Sequence, residues 1–491
     1  AVHRALFREE RERTGEAGCK RQAGRHGGLH GREVASMLFA SSAGVNDARD
    51  DGCSAWPLRA GILFVLSGDD VDPADPETQA EAPRADWTRR TFASLSRPNF
   101  RLFFVGQGIS LLGTWMAMAA EQWLVLVLTG SNAMLGVVAA AGMVPLVFSP
   151  IGGGIADRVP KRRVLVAATL LNFLVALTTA AIVYFGVVQV WMVVILAVLG
   201  GVVLAVEMPV RQAFLVEMVG KETLLNAIAL NTALFNVTRM LGQGFAGVIM
   251  HAMGMSLCFF VDAISFLAVV ACLLAMRLPP SPGRASEWKG FGHFFRFLRE
   301  GFGHVRRDPR ILSLVALLAV SMLFGLPYAS QMSAFARDVL GQKELGYGML
   351  LFVNGLGATV GALWLAGQGA AFDRRKVAFR MQALFGVALV GLALAPNVQV
   401  AMSMMVLAGF GMVTFFSASN AFIQSEAPDE LRGRVLGVWH CVFGAALPAG
   451  QLLMGFAAGA IGVRASFAIG GAVCVVLALL LAAGRRGPRT P

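Results

Sequence analysis

Four ionisable side chains lie inside long apolar stretches of this chain: Glu121, Arg239, Asp262 and His440. An ionisable group in an apolar surrounding is costly to bury and usually has a function. A carboxylate there can exchange a proton, and a cluster linking Arg239 to one of the carboxylates would lower the cost of burial. Glu121 and Asp262 are therefore candidate proton carriers, with a static intrahelical brace within the first half as the alternative. For Arg239 we favour a structural role. For His440, beside Trp439, we favour a buried core position in which the ring has its hydrogen bonds.

A second concentration of charge is the stretch GGGIADRVPKRRVLV, residues 152–166, which separates two apolar runs. Its basic residues Lys161, Arg162 and Arg163 are typical of a turn that stays on the cytoplasmic side of a membrane. Asp157 is not explained by that rule. A carboxylate at the C-terminal end of a helix is unfavourable unless positive charge approaches it.

The composition of the 491 residues is that of a membrane protein. The chain is 56% hydrophobic and only 15% charged, whereas a soluble domain is about 45–50% apolar and about a quarter charged. The net charge of +12 could indicate nucleic acid binding. However, Lys and Arg fall almost wholly in alternate connections and form no basic-aromatic face, which argues against a nucleic acid partner. The six cysteines show no metal-ligand spacing, so we expect neither a metal nor a cofactor.

Residues 1–96 are predicted to form a disordered cytoplasmic tail. The segment is rich in Arg, Gly and Glu and then becomes acidic and proline-containing, so it cannot bury enough apolar surface to offset its chain entropy. The first methionine is Met37. Part of the tail could therefore be an upstream extension, and we assign it no function.

From about residue 100 onward, apolar runs of about 20 residues follow one another, each long enough to cross a bilayer core of about 30 Å. They predict twelve membrane spans: 100–128, 133–155, 164–185, 190–210, 229–251, 255–276, 311–336, 345–369, 377–395, 399–419, 433–459 and 462–483.

The connections between the spans alternate in charge. One set is short, and Arg337, Lys343 and Arg464 are its only basic residues; the other set carries nearly all the remaining Lys and Arg. Because basic loops stay in the cytoplasm, we expect a multi-pass protein of the cytoplasmic (inner) membrane with both termini inside.

The spans divide into two halves of six. We expect bundles over residues 97–277 and 311–484, a central cytoplasmic loop over 278–310 and a short cytoplasmic tail over 485–491. The loop contains FFRFLREGFGHVRR, which is amphipathic and basic and could lie on the cytoplasmic leaflet or form a solvated linker. The turn GQGAAFDRRKVAFR after the eighth span repeats the charged turn after the second. Such duplication indicates a transporter whose substrate lies between the halves.

The stretch GGIADRVPKRR, residues 153–163, resembles the signature turn of the major facilitator superfamily, G-x-L-A-D-R-x-G-R-K. Residues 99–116, 209–219 and 429–437 (NFRLFFVGQGISLLGTWM, PVRQAFLVEMV and DELRGRVLG) are similar to its enterobactin-exporter-like branch, the transmembrane secretion effectors. The resemblance covers about 97–484. It implies an all-α fold of twelve transmembrane helices in two pseudo-symmetric six-helix bundles, and transport by alternating access rather than enzymatic activity.

The resemblance also implies that Asp157 closes a cytoplasmic gate. We expect it to dock on the start of the eleventh span, where Arg432 and Arg434 lie, in a contact of about 1–2 kcal/mol. The alternative is a local capping residue of the turn. The other gate residues matching the motif are Gly153, Arg158, Lys161 and Arg162.

Amide side chains inside the spans could line a transport path, although helix–helix hydrogen bonds explain most of them adequately. These path candidates are Gln122, Asn231, Asn236, Gln331, Asn354, Asn420 and Gln424.

The leading functional hypothesis is a monomeric, proton-coupled exporter of a small amphipathic molecule such as a siderophore, drug or metabolite. Its partners would be that small-molecule substrate, protons and the lipid bilayer. An importer or uniporter of a small solute is the first alternative. A membrane enzyme or signalling protein is disfavoured, because the sequence has no nucleotide-binding loop and no Ser-His-Asp set near a membrane face.

Overall fold

A computed structural model describes residues 92–149, 159–277, 290–368 and 372–483, and for 221, 222, 225 and 290–295 the backbone alone. These residues form helices and no strand, and the predicted all-α fold is confirmed. The helices at the predicted spans are α1 (Pro98–Thr129), α2 (Asn132–Met143, continued by the 3-10 turn Val144–Phe148), α3 (Lys161–Tyr184), α4 (Val190–Gly220), α5 (221–253), α6 (Met255–Ala275), α7 (Pro309–Val339), α8 (Glu344–Ala366), α9 (Arg374–Ala393), α10 (Val398–Glu426), α11 (Asp429–Ile461) and α12 (Val463–Ala483).

Ten of these described helices, all except α2 and α5, are long and apolar enough to cross a bilayer. Several are longer than the predicted spans. In particular, α4 continues ten residues beyond its predicted end at 210, and it meets α5 at Gly220, whose φ of 71° breaks the helix. A positive φ of this kind favours glycine, which has no Cβ to collide with the backbone.

The two halves use matching turns. α5 and α6 are joined by Gly254 alone, with φ 89° and ψ 166°, and α11 and α12 are joined by Gly462 alone, with φ 84° and ψ 157°. The same single-glycine hairpin therefore stands at the corresponding place in each half, as expected of an internal repeat.

Part of the predicted N-terminal tail is structured. Residues Ala93–Ser96 form a 3-10 turn, and the Ser94 hydroxyl donates to the Asn226 side chain at 2.8 Å. This turn fixes the start of α1 against α5. The remainder of the predicted tails, and residues 278–289 of the central loop, lie outside the described residues.

The described part of the central loop contains the linker helix, Gly290–Arg307. It packs on α11: a Cβ at Gly301 would lie 2.5 Å from the Arg434 carbonyl oxygen, and Val305 is buried. Arg434 Nη1 also lies 2.8 Å from Glu300 Oε2. The linker helix is therefore attached to the second half rather than free between the halves.

The halves meet through glycine-rich contacts on one side of the molecule. We call this the short-turn side, because it holds the turns at 130–131, 254 and 462; the opposite end is the basic-turn side. A Cβ at Gly247 of α5 would lie 2.7 Å from the Gly348 Cα of α8. A Cβ at Gly136 of α2 would lie 2.9 Å from the Gly455 Cα of α11. Small residues of this kind allow helix backbones to approach closely.

Hydrogen bonds reinforce the same contact. Asn132 Nδ2 donates to the Ala458 carbonyl oxygen at 3.2 Å, and Gln331 Nε2 donates to the Asn132 carbonyl oxygen at 3.2 Å. Ser333 Oγ and Arg337 Nη1 of α7 each donate, at 3.3 Å, to carbonyl oxygens of α1. Within the described ranges, the hydrogen bonds that join the two halves all lie on the short-turn side, which is therefore the closed one.

α7 departs from regular geometry at mid-length. Ser321–Gly325 is a π-helical turn, and Leu326–Gln331, with Pro327 near its start, is 3-10. A second π turn follows at Phe335–Val339. Such distortions inside a helix are frequent at functional sites, and here they set the direction of Tyr328 and Gln331.

We expect Gly247→Val to open the short-turn side, because its added carbons would overlap Gly348. Overpacking of about 1–3 kcal/mol would shift a two-state equilibrium about 5- to 150-fold. The readout is maleimide labelling of Ser333→Cys, a position that is 0% exposed, after serine replaces the natural cysteines. The matched control is Gly459→Val, because a Cβ at Gly459 meets nothing within 4 Å. Equal labelling rates in both variants would contradict this account.

Candidate functional site

Asp262 is buried at the contact between α6 and α1. Its Oδ1 accepts a hydrogen bond from Thr114 Oγ1 at 3.1 Å, and a Cβ at Gly113 would lie 2.9 Å from its Cα. The carboxyl group thus faces a neutral donor within the first half. A proton on this group would change the α1–α6 contact directly.

Glu121 and His440 occupy different surroundings. Glu121 is half-buried in α1, and its carboxylate has no hydrogen bond or ion pair with another residue that the structure describes. His440 is exposed on α11, and its Nδ1 lies 2.8 Å from the Leu436 carbonyl oxygen one turn earlier. The interior position favoured for His440 is therefore wrong: its side chain is at the surface of the helix bundle and contacts its own helix.

Arg239 does not join the carboxylates. No ion pair links it to Glu121 or Asp262, and its Nε and Nη2 atoms are buried without a hydrogen-bond partner among the described residues. The group within electrostatic range is the Tyr328 phenol of α7, in the other half. Arg239 therefore does not form the structural brace within the first half that the sequence favoured.

Tyr328 belongs to a polar chain in the second half. Asn354 Nδ2 of α8 donates to the Tyr328 hydroxyl oxygen at 2.9 Å and to the Met405 carbonyl oxygen of α10 at 3.1 Å. The phenol ring packs edge-on against Phe385 and Phe467. Asn354, a predicted path residue, thus joins three helices and fixes the phenol that faces Arg239.

Sequence reasoning missed one buried charge pair. Glu207, only 7% exposed, pairs with Arg211 one turn later on α4, and Asn172 Nδ2 of α3 donates to Glu207 Oε2 at 3.0 Å. The prediction ended the fourth span at 210 and treated Arg211 as a loop residue. The spacing of Glu and Arg four positions apart is the signal that could have extended the helix.

The other predicted path residues make local contacts. Asn236 Nδ2 donates to the Thr232 carbonyl oxygen within α5, and Gln424 bonds to Asn420 within α10. Gln331, which is fully buried, bonds across the halves, whereas Gln122 takes part there only through its backbone carbonyl. Asn231 is half-buried in α5. Gln331 and Asn354 therefore bond between helices, whereas Asn236, Asn420 and Gln424 bond within one helix, so helix–helix hydrogen bonding accounts for only part of the set.

The charged turn is described only in part. Gly153, Asp157 and Arg158 lie outside the described residues. Lys161 Nζ lies 2.5 Å from Glu217 Oε1 at the end of α4, and Arg162 Nη2 donates to the Leu274 carbonyl oxygen at 2.6 Å. The two basic residues therefore join the start of α3 to α4 and α6.

The two arginines at the start of α11 already have acidic partners. Arg432 Nη2 lies 2.6 Å from Asp429 Oδ1, and Arg434 is paired with Glu300 of the linker helix. Asp429 and Glu430 place negative charge in the first turn of α11, which complements the helix dipole. Because this first turn already carries negative charge, only Arg432 and Arg434 would attract a further carboxylate to the start of α11.

Asp373 occupies the corresponding charged turn of the second half. Its Oδ1 accepts from the Lys376 backbone N–H at 3.0 Å, and its Oδ2 lies 3.0 Å from Lys376 Nζ. Burial acts to raise the pKa of this carboxyl, but those hydrogen bonds and the charges of Lys376 and Arg375 outweigh it and hold the pKa below its usual range. In this half the carboxylate caps the helix that follows.

Metal chemistry finds no support in the described part of the chain. Over those ranges no three His, Cys, Asp or Glu side chains are grouped so that they could hold an ion. The ionisable groups that remain are single carboxylates, one buried ion pair and one buried arginine. Such a set can move protons or bind a charged molecule.

Comparison with known proteins agrees with this architecture. The family model described as transmembrane secretion effector matches residues 89–488. The staphyloferrin A transporter of Staphylococcus aureus is 26% identical over 77% of this chain and 94% of its own length. The multidrug efflux pump Tap of Mycolicibacterium fortuitum is 30% identical over 72% and 88%.

Solved structures show the same fold. A bacterial homologue of the human lysosomal transporter Spinster, in an inward-facing and occupied conformation, aligns with a TM-score of 0.61 at 14% identity, over 78–79% of this chain. The alignment in the occupied form covers 96% of that protein. The chain therefore belongs to the transmembrane secretion effector family of the major facilitator superfamily, and it is a multi-pass membrane transporter rather than an enzyme.

Proposed function

We propose that this transporter exports a small amphipathic molecule from the cytoplasm by alternating access and uses the proton gradient as its energy source. The observation that carries the proposal is a pair of six-helix halves closed on the short-turn side, with single ionisable groups inside the first half. The similarity to a protein named as a multidrug efflux pump supports the direction, and the similarity to the staphyloferrin A transporter supports transport as the activity.

Orientation follows from charge. The basic-turn side carries Lys161, Arg162 and the linker helix, and basic segments stay in the cytoplasm. The chain would then lie in the cytoplasmic membrane with its closed side outward, so the state described is inward-facing and ready to receive cargo. We keep the predicted limits of the two six-helix bundles, 97–277 and 311–484, as part of this proposal. We also expect the chain to act as a monomer.

Proton coupling is assigned to the carboxylates of the first half. Asp262 has only a neutral donor, and Glu121 has no partner in the described ranges. In an apolar surrounding a carboxylate without a cation is stable when protonated, and it can release its proton when water reaches it. A uniporter would not need either group to titrate.

The cytoplasmic gate is assigned to Asp157 and the start of α11. When the basic-turn side closes, Asp157 would replace the present acidic partner of one of the two arginines, Asp429 at Arg432 or Glu300 at Arg434. Because that arginine trades one partner for another and the second keeps its own, the equilibrium between the two states stays close to balance. The capping role of Asp373 in the second half keeps a local cap as the alternative for Asp157.

Glu121→Gln and Asp262→Asn test the coupling. We expect either change to reduce concentrative efflux at least tenfold in energised cells, because a neutral amide cannot carry a proton, while exchange of cargo without a gradient continues. The assay measures accumulation of a panel of labelled drugs and siderophores in cells with and without the protein. Asp338→Asn, an exposed carboxylate on α7, is the matched control. Efflux that persists without dependence on a proton gradient would contradict the assignment.

A cysteine pair tests the gate. Val159→Cys in the charged turn and Gly433→Cys at the start of α11 are both exposed, and oxidation should link them only when the basic-turn side closes. We expect transport to stop on oxidation and to return on reduction. The single-cysteine variants serve as controls. Undiminished flux through the crosslinked protein would rule out the gate.

A further inference from the structure

Arg239 lies near the middle of α5, and among the described residues its guanidinium has no acidic partner. Along the helix it is about 21 Å from Met253 at the short-turn end and about 27 Å from residue 221 at the other end. Its neighbour Met240 packs on Gly355 of α8 at the boundary between the halves. Over the described ranges its Nε and Nη2 atoms are buried and bond to nothing. The guanidinium thus stands where cargo would be expected to bind.

An unpaired guanidinium at this depth is costly. Burial of a charge without a partner carries a penalty of several kcal/mol, and arginine does not lose its proton to avoid that penalty. The buried pair on α4 shows the usual solution, because Arg211 lies against Glu207. Among the described residues Arg239 has no such carboxylate, so a negative charge supplied by a molecule that enters the site would relieve this penalty.

The opposite half offers a second donor. The Tyr328 hydroxyl lies within electrostatic range of Arg239, and its oxygen already accepts from Asn354 at 2.9 Å. Its own proton is not used in a hydrogen bond with any described residue. The ring is nearly fully buried and held by Phe385 and Phe467, so the hydroxyl keeps a fixed direction.

The backbone that carries Tyr328 is unusual. The residue lies in the 3-10 segment Leu326–Gln331, directly after a π turn. Local changes of helix type of this kind are frequent at functional sites. The contact between the halves brings this donor towards Arg239: Met240, next to Arg239, packs on Gly355, next to Asn354, whose amide bonds to the Tyr328 hydroxyl. An oxyanion placed between the two side chains would accept hydrogen bonds from both.

We propose that Arg239 and Tyr328 together bind the anionic group of the cargo, so that the natural cargo is an amphipathic acid carrying a carboxylate or a similar oxyanion. This inference rests on the proposed function and names its substrate class. An anion bound to both residues also joins the two halves. Cargo binding would therefore stabilise the conformation in which Arg239 and Tyr328 lie close together.

Binding to the purified full-length protein tests the proposal with two probes, 1-naphthaleneacetate and 2-(1-naphthyl)ethanol. They share a ring system and differ in the carboxylate. We expect the wild type to prefer the acid and Arg239→Gln to bind it about ten- to hundredfold more weakly. Tyr328→Phe should weaken acid binding several-fold, Arg239→Lys should retain part of it, and the alcohol should bind all variants equally. A wild type that shows no preference for the acid overturns the proposal.

Thermal unfolding without ligand separates a binding residue from a brace. Arg239→Gln should leave the Tm unchanged or raise it, because an unpaired buried charge is removed. The matched control Arg211→Gln should lower the Tm, because it leaves Glu207 without its cation. A fall in Tm for Arg239→Gln as large as that for Arg211→Gln would mean that Arg239 is structural.

Efflux from cells distinguishes failure of this inference from failure of the proposed function. The probes are the same acid and alcohol together with ethidium, a cationic dye. If the wild type exports none of the three and none of the panel of labelled drugs and siderophores, the proposed function fails. If it exports the alcohol or ethidium and not the acid, or if Arg239→Gln exports the acid at the wild-type rate, only the anion site fails.

Discussion

The close approach of glycines between α5 and α8, and between α2 and α11, is the contact on which the rest of the structure depends. Gly247 and Gly348 let two backbones touch, and Gly136 does the same against Gly455. Only at that separation can Asn132, Gln331 and Ser333 bond across the halves. Van der Waals contact between these small residues holds this side closed, together with the hydrogen bonds and with His251 Nδ1, which lies 3.9 Å from Glu344 Oε2 across the halves.

The buried charges are distributed unevenly over this framework. The described spans of the first half carry Glu121, Glu207, Arg239 and Asp262, whereas the second half presents mainly neutral donors such as Tyr328 and Asn354. Glu207 is neutralised by Arg211, and Asp262 meets a hydroxyl. Arg239 alone faces the other half. The first half therefore holds most of the titratable groups within the spans, and the second half presents a mainly neutral polar surface towards it.

The sequence predicted the spans and the twofold repeat well, because apolar runs of the right length and the repeated charged turns are local signals. It failed where a side chain's direction matters. The partner of Asp262 is Thr114, 148 positions away, and no spacing rule links the two. The fourth span was ended at 210 and Arg211 was counted with the connections, although Glu207 pairs with Arg211 inside the helix. His440 was placed in the interior because its neighbours are apolar, but it lies on an exposed face of α11.

The central claim is that the halves move as rigid bodies, so that one side opens as the other closes. Spin-label distances test it directly, with one pair at Phe185 and Leu394 on the short-turn side and one at Arg163 and Arg380 on the basic-turn side, all four being exposed. When a transported cargo and a proton gradient are supplied, the first distance should lengthen and the second should shorten together. Two distances that stay constant, or that change in the same direction, would contradict the account.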